Sequence, residues 1–448
     1  MPTLPGTVDL HALHHYARDR YPFLLQSTAT TRSLGRYDIL FAFPGEALLL
    51  EKPGQPVGPH SGGHTRFLRA LDAWWHQERI APVTANIPFA GGWFLYLGYE
   101  LAAEVEPGLV LRPADTGMPI AMAVRCPAAI IVDHLEGICS FVAEDSASDY
   151  YDQIVGDIDA CRHNVATKEQ NYSSRLVAAE EEPDLFLEAV LRAQDYIARG
   201  DIYQANLSRE WSATVANGVD ADRIYTALGA TNPAPFAGLV NWRDTTIISS
   251  SPERLLNVRN GVVTTRPIAG TRPRSASSAL DNDLSAELFA HPKERAEHIM
   301  LIDLERNDLG RVCEPGTVEV DEMMVLESYA HVHHIVSNVR GKLRDDVTPG
   351  DAIRAVFPGG TITGCPKVRC MEIIADLESG SRGAYTGSFG YLNRDGSLDL
   401  NILIRTIVMH GNDVSFRAGS GIVADSDAQA ELAETRAKAK GLIQALSR

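Results

Sequence analysis

Arg405 stands in Ile402-Leu403-Ile404-Arg405-Thr406-Ile407, a run that is apolar on both faces and predicts a central strand. A guanidinium in such a strand is costly without a partner. Its planar donor fork suits a carboxylate, although an internal Arg–Asp pair or a place at a sheet edge would also satisfy it. Glu434 and Lys438 lie one helical turn apart, a spacing that most often makes a solvated surface pair. The segment Pro292–Asp308 carries Glu294, Glu297, Asp303, Glu305 and Asp308. Glutamates on separate helices are suitable hard ligands for a magnesium ion that also holds a substrate carboxylate; spacing alone does not choose among these acids. Glu253 follows the apolar strand Thr245–Ile248, where an acid serves either as a turn residue or as a general acid. Arg266–Arg274 reads as a Gly/Pro-punctuated loop with three arginines, either an anion site or a connector. The glycine-rich Pro358–Lys367 precedes a helix at Val368–Leu377. It lacks the GxxxxGK[ST] spacing of a phosphate loop, but free amides at the helix start can hold an anion.

The elements that must carry these residues follow from periodicity. In the N-terminal part Tyr37–Phe43, Gly91–Tyr99 and Pro127–Asp133 read as strands between Gly and Pro. Thr167–Pro183 is polar without an apolar stripe and reads as a linker, dividing the chain into residues 1–166, 167–183 and 184–448. Leu185–Arg199, with Leu185, Leu187, Val190, Leu191 and Ile197, predicts an amphipathic helix ended by Gly200. Ala384–Leu392, Leu398–Met409 and Val414–Val423 predict an antiparallel meander, joined by Asn393-Arg394-Asp395-Gly396 and His410-Gly411-Asn412-Asp413. A capping box at Ser426 and Gln429 predicts the start of a last helix that runs to about Leu446. Strands mixed with long helices, without βαβ alternation, give an α+β class.

The chain has 448 residues and a formal net charge of −17. That balance argues against a nucleic-acid binder, which needs a positive face. It allows an anionic substrate only if the cations that hold it are local. None of the six cysteines forms a CxxC pair, so a structural zinc site is not expected. No charged-then-apolar leader opens the chain and no apolar run approaches the ~20 residues of a membrane span. Together with the cysteine usage this predicts a cytoplasmic protein with reduced thiols.

Taken in order, several stretches resemble one family, the chorismate-utilising enzymes. They are Gly200–Ser208, Ser251–Arg254, Pro267–Thr271, Glu297–Arg311, His334–Ser337, Pro358–Arg369, Ile404–Thr406, Ala418–Ser426 and Glu434–Lys438. The resemblance covers about Leu185–Leu446 and implies the family's fold, large antiparallel sheets packed as a sandwich with helices outside. It implies that Glu297 and Glu434 hold Mg2+. It implies that Tyr385, Arg405, Lys438 and the backbone at Gly421, with Thr361 and Gly270, line the site for chorismate. It makes Glu253 the general acid for the C4 hydroxyl and places Gln204, His334 and Thr271 among the catalytic positions. A dianionic substrate would then have magnesium on one carboxylate and an Arg/Lys/Tyr clamp on the other.

Within the family, water-using members resemble one another in placing a lysine base where this chain has Gln204. A neutral amide does not deprotonate water, so the ammonia-using branch is favoured over isochorismate or salicylate synthases. Aminodeoxychorismate synthases usually carry Pro-Ile-Lys-Gly-Thr, and Ala269 departs from that pattern toward anthranilate synthases. Pro358–Gly364 resembles the aminodeoxychorismate group instead, and so do Arg36–Pro44 and Phe89–Tyr99. Leu24-Leu25-Gln26-Ser27 departs from the Leu-Leu-Glu-Ser of the anthranilate synthases' tryptophan site. The balance predicts amination of chorismate to 4-amino-4-deoxychorismate, for p-aminobenzoate and folate, with anthranilate synthase component I as the alternative. No glutaminase is fused to the chain, so the resemblance implies a separate glutamine amidotransferase subunit that supplies ammonia. A non-catalytic homologue that binds a metabolite or that subunit is a further alternative. Retention of Glu253, Glu297, Arg405, Glu434 and Lys438 argues against it.

Overall fold

The computed structural model describes residues 2–4, 8–28, 35–83, 87–147, 149–163, 178–216, 218–274, 277, 281, 284, 286–288, 292–328 and 332–447. Two large antiparallel sheets dominate, and helices cover their outer faces, as the α+β expectation requires. The first sheet runs in the order β18 (Gly364–Cys365), β10 (Gln204–Thr214), β22 (Asp413–Ile422), β21 (Thr406–His410), β12 (Thr245–Ser251), β11 (Phe236–Trp242), β1 (Phe23–Gln26), β2 (Tyr37–Ala42), β7 (Ala128–Asp133) and β8 (Ile138–Ala143), with β9 (Ala179–Glu180) beside β10. The second runs β15 (Ile268–Pro273), β17 (Val332–Lys342), β14 (Val262–Arg266), β13 (Arg254–Arg259), β20 (Leu398–Asn401), β19 (Ser388–Asn393), β5 (Gly92–Leu97), β6 (Ala121–Cys126), β3 (Ala47–Leu50) and β4 (Pro56–Val57), with β16 (Glu319–Ser328) beside β17. Both sheets take strands from either side of residues 167–183. Of that segment 167–177 lies outside the described residues, and Pro183 already opens the helix Pro183–Ala198.

The sheets meet through aromatic side chains that alternate inward along each strand. Phe23 stacks on Phe94 with ring centroids 4.1 Å apart, and Phe41 meets Phe94 edge to face at 5.5 Å. Outside the first sheet lie Ala221–Thr231 and Ala428–Leu446, and outside the second Phe67–Glu78 and Pro349–Val356.

Four local expectations change. The apolar run Leu398–Met409 is two strands in different sheets. After β20 the chain crosses at Ile402–Arg405 and joins the first sheet as β21, so Arg405 lies in no central strand. Its φ of +54° is uncommon for a residue with a side chain. The three apolar runs therefore form two hairpins, β19–β20 and β21–β22, closed at the two expected turns, where Gly396 and Gly411 have φ of +87° and +58°. The last helix, Ala428–Leu446, is capped by Asp427, whose carboxylate accepts from Ala430 N at 2.8 Å; Ser426 instead donates to Glu431 at 2.7 Å. The helix Pro183–Ala198 buries Phe186, Ala189, Val190 and Ala193, leaving Leu185 and Leu191 exposed, because the smaller alanines face the sheet. Finally, Arg266–Arg274 is no loop. Ile268–Pro273 is an edge strand paired with β17, bulged at Gly270.

A buried ion pair ties the first sheet to the loops around the crossing. Arg382 donates to Glu378 at 2.6 and 3.0 Å, to Asn206 O at 2.7 Å and to Ile362 O at 3.0 Å. Its guanidinium carbon lies 5.6 Å from the centre of the Tyr385 ring. Burial alone would raise the Glu378 carboxyl, but Arg382 and Arg417 hold it below its ordinary value. Removing one member leaves a buried charge short of its partner, so Arg382→Ala is expected to cost about 3 kcal/mol or more in urea unfolding. A loss below about 1 kcal/mol would mean that the pair is not sequestered from water.

Candidate active site

Two crossings of the chain between the sheets lie side by side. At Ser251–Arg254 the chain leaves β12 for β13; at Ile402–Arg405 it returns from β20 to β21. Three hydrogen bonds join the crossings. Ser251 Oγ donates to Ile402 O at 2.5 Å, Ile402 N to Glu253 O at 3.0 Å and Ser250 N to Arg405 O at 3.1 Å. The first crossing carries Glu253 and the second Arg405.

Glu253 is buried at 4% exposure. Its Oε1 accepts from Thr361 Oγ1 at 2.8 Å and from Ile268 N at 3.4 Å. Burial pushes this carboxyl up to about 8; the two donors and Lys438 oppose the shift and the charge of Glu305 adds to it. Thr361 belongs to the 3-10 turn Gly360–Ile362, packed against the helix Pro292–Gly310.

The Arg405 guanidinium has no hydrogen-bond or ion-pair partner among the described residues. Burial lowers its pKa, and only the fields of Tyr385 and Glu434 act against that. Tyr385 is buried, which raises its phenol. A Cβ added at Gly419 would fall 2.7 Å from Tyr385 Oη, so that glycine gives the phenol its room. Lys438 donates to Glu434 Oε1 at 2.6 Å and to Gly419 O at 2.9 Å. It thus ties the helix Ala428–Leu446 to β22. Glu434 is half exposed, and its second oxygen has no partner among the described residues.

Gln204 is buried in β10, and its Oε1 is unpartnered. A Cβ on Gly421 in the neighbouring β22 would lie 2.3 Å from Gln204 Nε2, so only glycine lets the amide reach this spot. His334 lies in β17 opposite Thr271 of β15, whose side chain lies outside the description. Burial, with Arg405 next in weight, pushes His334 down to about 4, so the ring is neutral; its hydrogen bond is with the backbone of Gly270. Gly270 has φ +69°, and a Cβ there would meet Glu294 Oε2 at 2.8 Å. Glu297 is half-buried on the helix Pro292–Gly310, beside the buried His298.

Contacts or electrostatic fields thus join Glu253 with Thr361 and Lys438, Arg405 with Tyr385, Glu434 and His334, and Gln204 with Gly421. Three residues were not marked by the sequence reading. Arg382 stands four residues after Glu378, across Ser379-Gly380-Ser381, an i,i+4 charge pair that could have signalled it. His298 bonds Ser337 Oγ at 2.6 Å, and its Nδ1 is buried without a partner. Glu378, which also accepts from Ser208, has no sequence signal beyond Arg382.

Among the described residues a trio of metal-ligating side chains close enough to share an ion occurs at His15, Asp220 and Asp222, where Arg18 already pairs both carboxylates. Glu297 and Glu434, on two helices, offer the hard carboxylate oxygens that magnesium prefers, so the residues present fit that ion.

The model of chorismate binding enzymes matches residues 23–444, and the chain belongs to that family. It is 40% identical over 437 residues to the anthranilate synthase component I-like protein of Synechocystis sp., covering 91% of this chain and 88% of the relative. It is 39% identical over 394 residues to aminodeoxychorismate synthase component 1 of Bacillus subtilis, covering 85% and 82%. The crystal structure of anthranilate synthase component I from Streptococcus pneumoniae TIGR4 superposes with a TM-score of 0.79 at 32% identity, covering 91% of this chain and 92% of that one. The protein is therefore a chorismate-utilising enzyme with the two-sheet fold that the sequence resemblance implied. No helix among the described residues is long and apolar enough to cross a membrane.

The raised Glu253 carboxyl gives a signed expectation. Its folded pKa lies above the unfolded value, so its contribution to stability is complete below about pH 4 and is lost as pH rises through about 8. Glu253→Gln should therefore lose less stability than the native chain between about pH 5 and pH 8. Infrared difference spectra should also show the native protonated-carboxyl band missing from the variant. Parallel stability curves and identical bands would mean that Glu253 is ionised at neutral pH.

Proposed function

We propose that this chain is an aminodeoxychorismate synthase component I. On this reading it aminates chorismate with ammonia to 4-amino-4-deoxychorismate, with ammonia delivered by a separate glutamine amidotransferase subunit. The observation that carries the reading of the site is the unpartnered Arg405 guanidinium beside Tyr385. A half-buried cation with no ion-pair partner among the described residues is a place suited to an external anion. Arg405, Tyr385 and Lys438 would hold one substrate carboxylate. Glu297 and Glu434 would hold the magnesium ion, which supplies charge for the other. Glu253, kept protonated by burial, gives its proton to the C4 hydroxyl as the C–O bond breaks, so that the group leaves as water. The neutral His334 ring adds no charge to the site, and Gly270 and Gly421 give room to Glu294 and Gln204.

Gln204 supports ammonia over water as nucleophile. Its amide cannot act as a base, whereas ammonia brings its own lone pair. The choice of C4 amination rests on Pro358–Gly364 and on Gln26. Gln26 bonds Asp38 at 3.2 Å and Tyr225 at 3.1 Å, and offers a neutral amide where the tryptophan-regulated relatives have a carboxylate. Ala269, opposite Ile335 on the edge strand, favours the second reading, anthranilate synthase component I. It also removes the lysine that would attack C2, so any C2 adduct must use another nucleophile.

Incubation of the purified chain with chorismate, magnesium and an ammonium salt is expected to yield 4-amino-4-deoxychorismate, and glutamine in place of ammonium is expected to yield nothing. Anthranilate as the main product would select the second reading. Glu297→Gln and Glu434→Gln should each lower kcat by about 100-fold or more, as loss of a metal ligand does. Near-native rates at saturating magnesium would remove that residue from the metal site.

A further inference from the structure

Glu305 is a second buried acid that the proposed mechanism does not use. It lies on the helix Pro292–Gly310 at 6% exposure, and Glu253 on its strand crossing is at 4%. The two carboxyls are held by consecutive residues of one turn. Gly360 lies against Glu305, and Thr361 Oγ1 donates to Glu253 at 2.8 Å. A Cβ at Gly360 would come within 3.2 Å of Glu305 Oε1 and 2.5 Å of Leu304 Cδ2, so glycine at this position lets the turn lie against the helix.

The cations nearest the pair are bonded to other acids. On the Glu305 side, Lys367 is bonded to Asp308 and to Val356 O, and Asp308 also accepts from Arg311 at 2.5 Å. On the Glu253 side, Lys438 is already bonded to Glu434. Neither glutamate is ion-paired with a cation among the described residues, and two like charges sharing a dry site cannot both form cheaply. We infer that Glu253 and Glu305 form a buried acid pair, in which Glu305 is a positioning residue that keeps the general acid protonated.

The titration directions agree with the geometry. Burial, with Asp308 next, pushes Glu305 up to about 7 against the pull of Lys367, and the Glu305 charge is one of the influences that hold Glu253 near 8. Glu253 is thus the last of the two to give up its proton. In the working pH range Glu305 carries part of a negative charge, and that charge blocks early ionisation of its neighbour. The inference rests on the reading of Glu253 as general acid.

The test is the alkaline limb of the kcat/KM profile, which reports loss of the essential acid's proton in the free enzyme. In Glu305→Gln, close in size and uncharged, the limb is expected to move to lower pH by about 0.5 to 1 unit. The native-to-variant rate ratio should therefore grow as pH rises, while Glu305→Asp keeps the limb near its native position. The infrared midpoint of the Glu253 carboxyl, which needs no turnover, should fall by the same amount. It can also be read in Glu305→Met if the Gln variant does not fold. A rate lowered equally at every pH, with an unmoved infrared midpoint, would overturn the acid pair and leave Glu305 a packing residue. Glu253→Gln separates the two failures. If it keeps turnover and its alkaline limb, the general-acid reading falls; if it is inactive while the Glu305→Gln limb stays put, only the acid pair falls.

Discussion

The structure depends on one arrangement, the pair of adjacent places where the chain changes sheets. A continuous sheet has no reason to bring a carboxyl and a guanidinium together, since each strand simply presents alternate faces. When Ser251–Arg254 leaves the first sheet next to where Ile402–Arg405 rejoins it, the backbone groups freed from both ladders pair with each other. The crossings are thereby fixed without using the side chains of Glu253 and Arg405. Those side chains remain available at the seam of the two sheets, and β17, the turn Gly360–Ile362 and the helix Ala428–Leu446 close around them.

Burial then acts oppositely on the two groups. It makes the carboxyl hold its proton, so Glu253 is a neutral acid. A guanidinium loses its proton only far above neutral pH, so Arg405 stays a cation and carries the cost of desolvation as stored demand for an anion. The surrounding charges keep that demand from being met internally. Glu378 is taken by Arg382 and Arg417, Asp308 by Lys367 and Arg311, and one oxygen of Glu434 by Lys438. In a chain of net charge −17, a half-buried cation without an ion-pair partner among the described residues reflects how the acids are partnered, since acids are plentiful.

Much of the scaffold was legible in the sequence, because period-two runs bounded by Gly, Asn and Asp are local signals. Tyr37–Phe43, Gly91–Tyr99 and both closing turns of the C-terminal hairpins needed nothing more. What hydropathy does not record is a change of sheet. Leu398–Met409 is mostly apolar across the crossing as well, where Ile402 and Leu403 are buried, so the pattern predicts one strand through Arg405. The cap fell on Asp427 because two adjacent side chains could serve, and only the geometry of the turn selects one. Leu185 and Leu191 count toward the apolar spacing because large apolar residues dominate it, whereas the close approach to the sheet buries Ala189 and Ala193. Glu305 and Arg382 show the limit most clearly. Among five acids on one helix, Glu305 and Asp308 are buried and Asp308 is ion-paired, and both burial and pairing are properties of the tertiary fold.

The central claim is that Arg405 is an unpaired cation reserved for a substrate carboxylate. It is tested most directly by measuring chorismate affinity and folding stability together in Arg405→Met. The account predicts that calorimetric titration with magnesium present shows affinity weakened about 100-fold or more, as when a desolvated charge pair loses one member. It also predicts unchanged or raised thermal stability, because a half-buried charge without an ion-pair partner among the described residues has been replaced by an apolar chain of similar length. Affinity within about threefold of native, a change below about 0.7 kcal/mol, would contradict it. So would a marked loss of stability, which would mean that the guanidinium has an internal partner and that the site is held by something else.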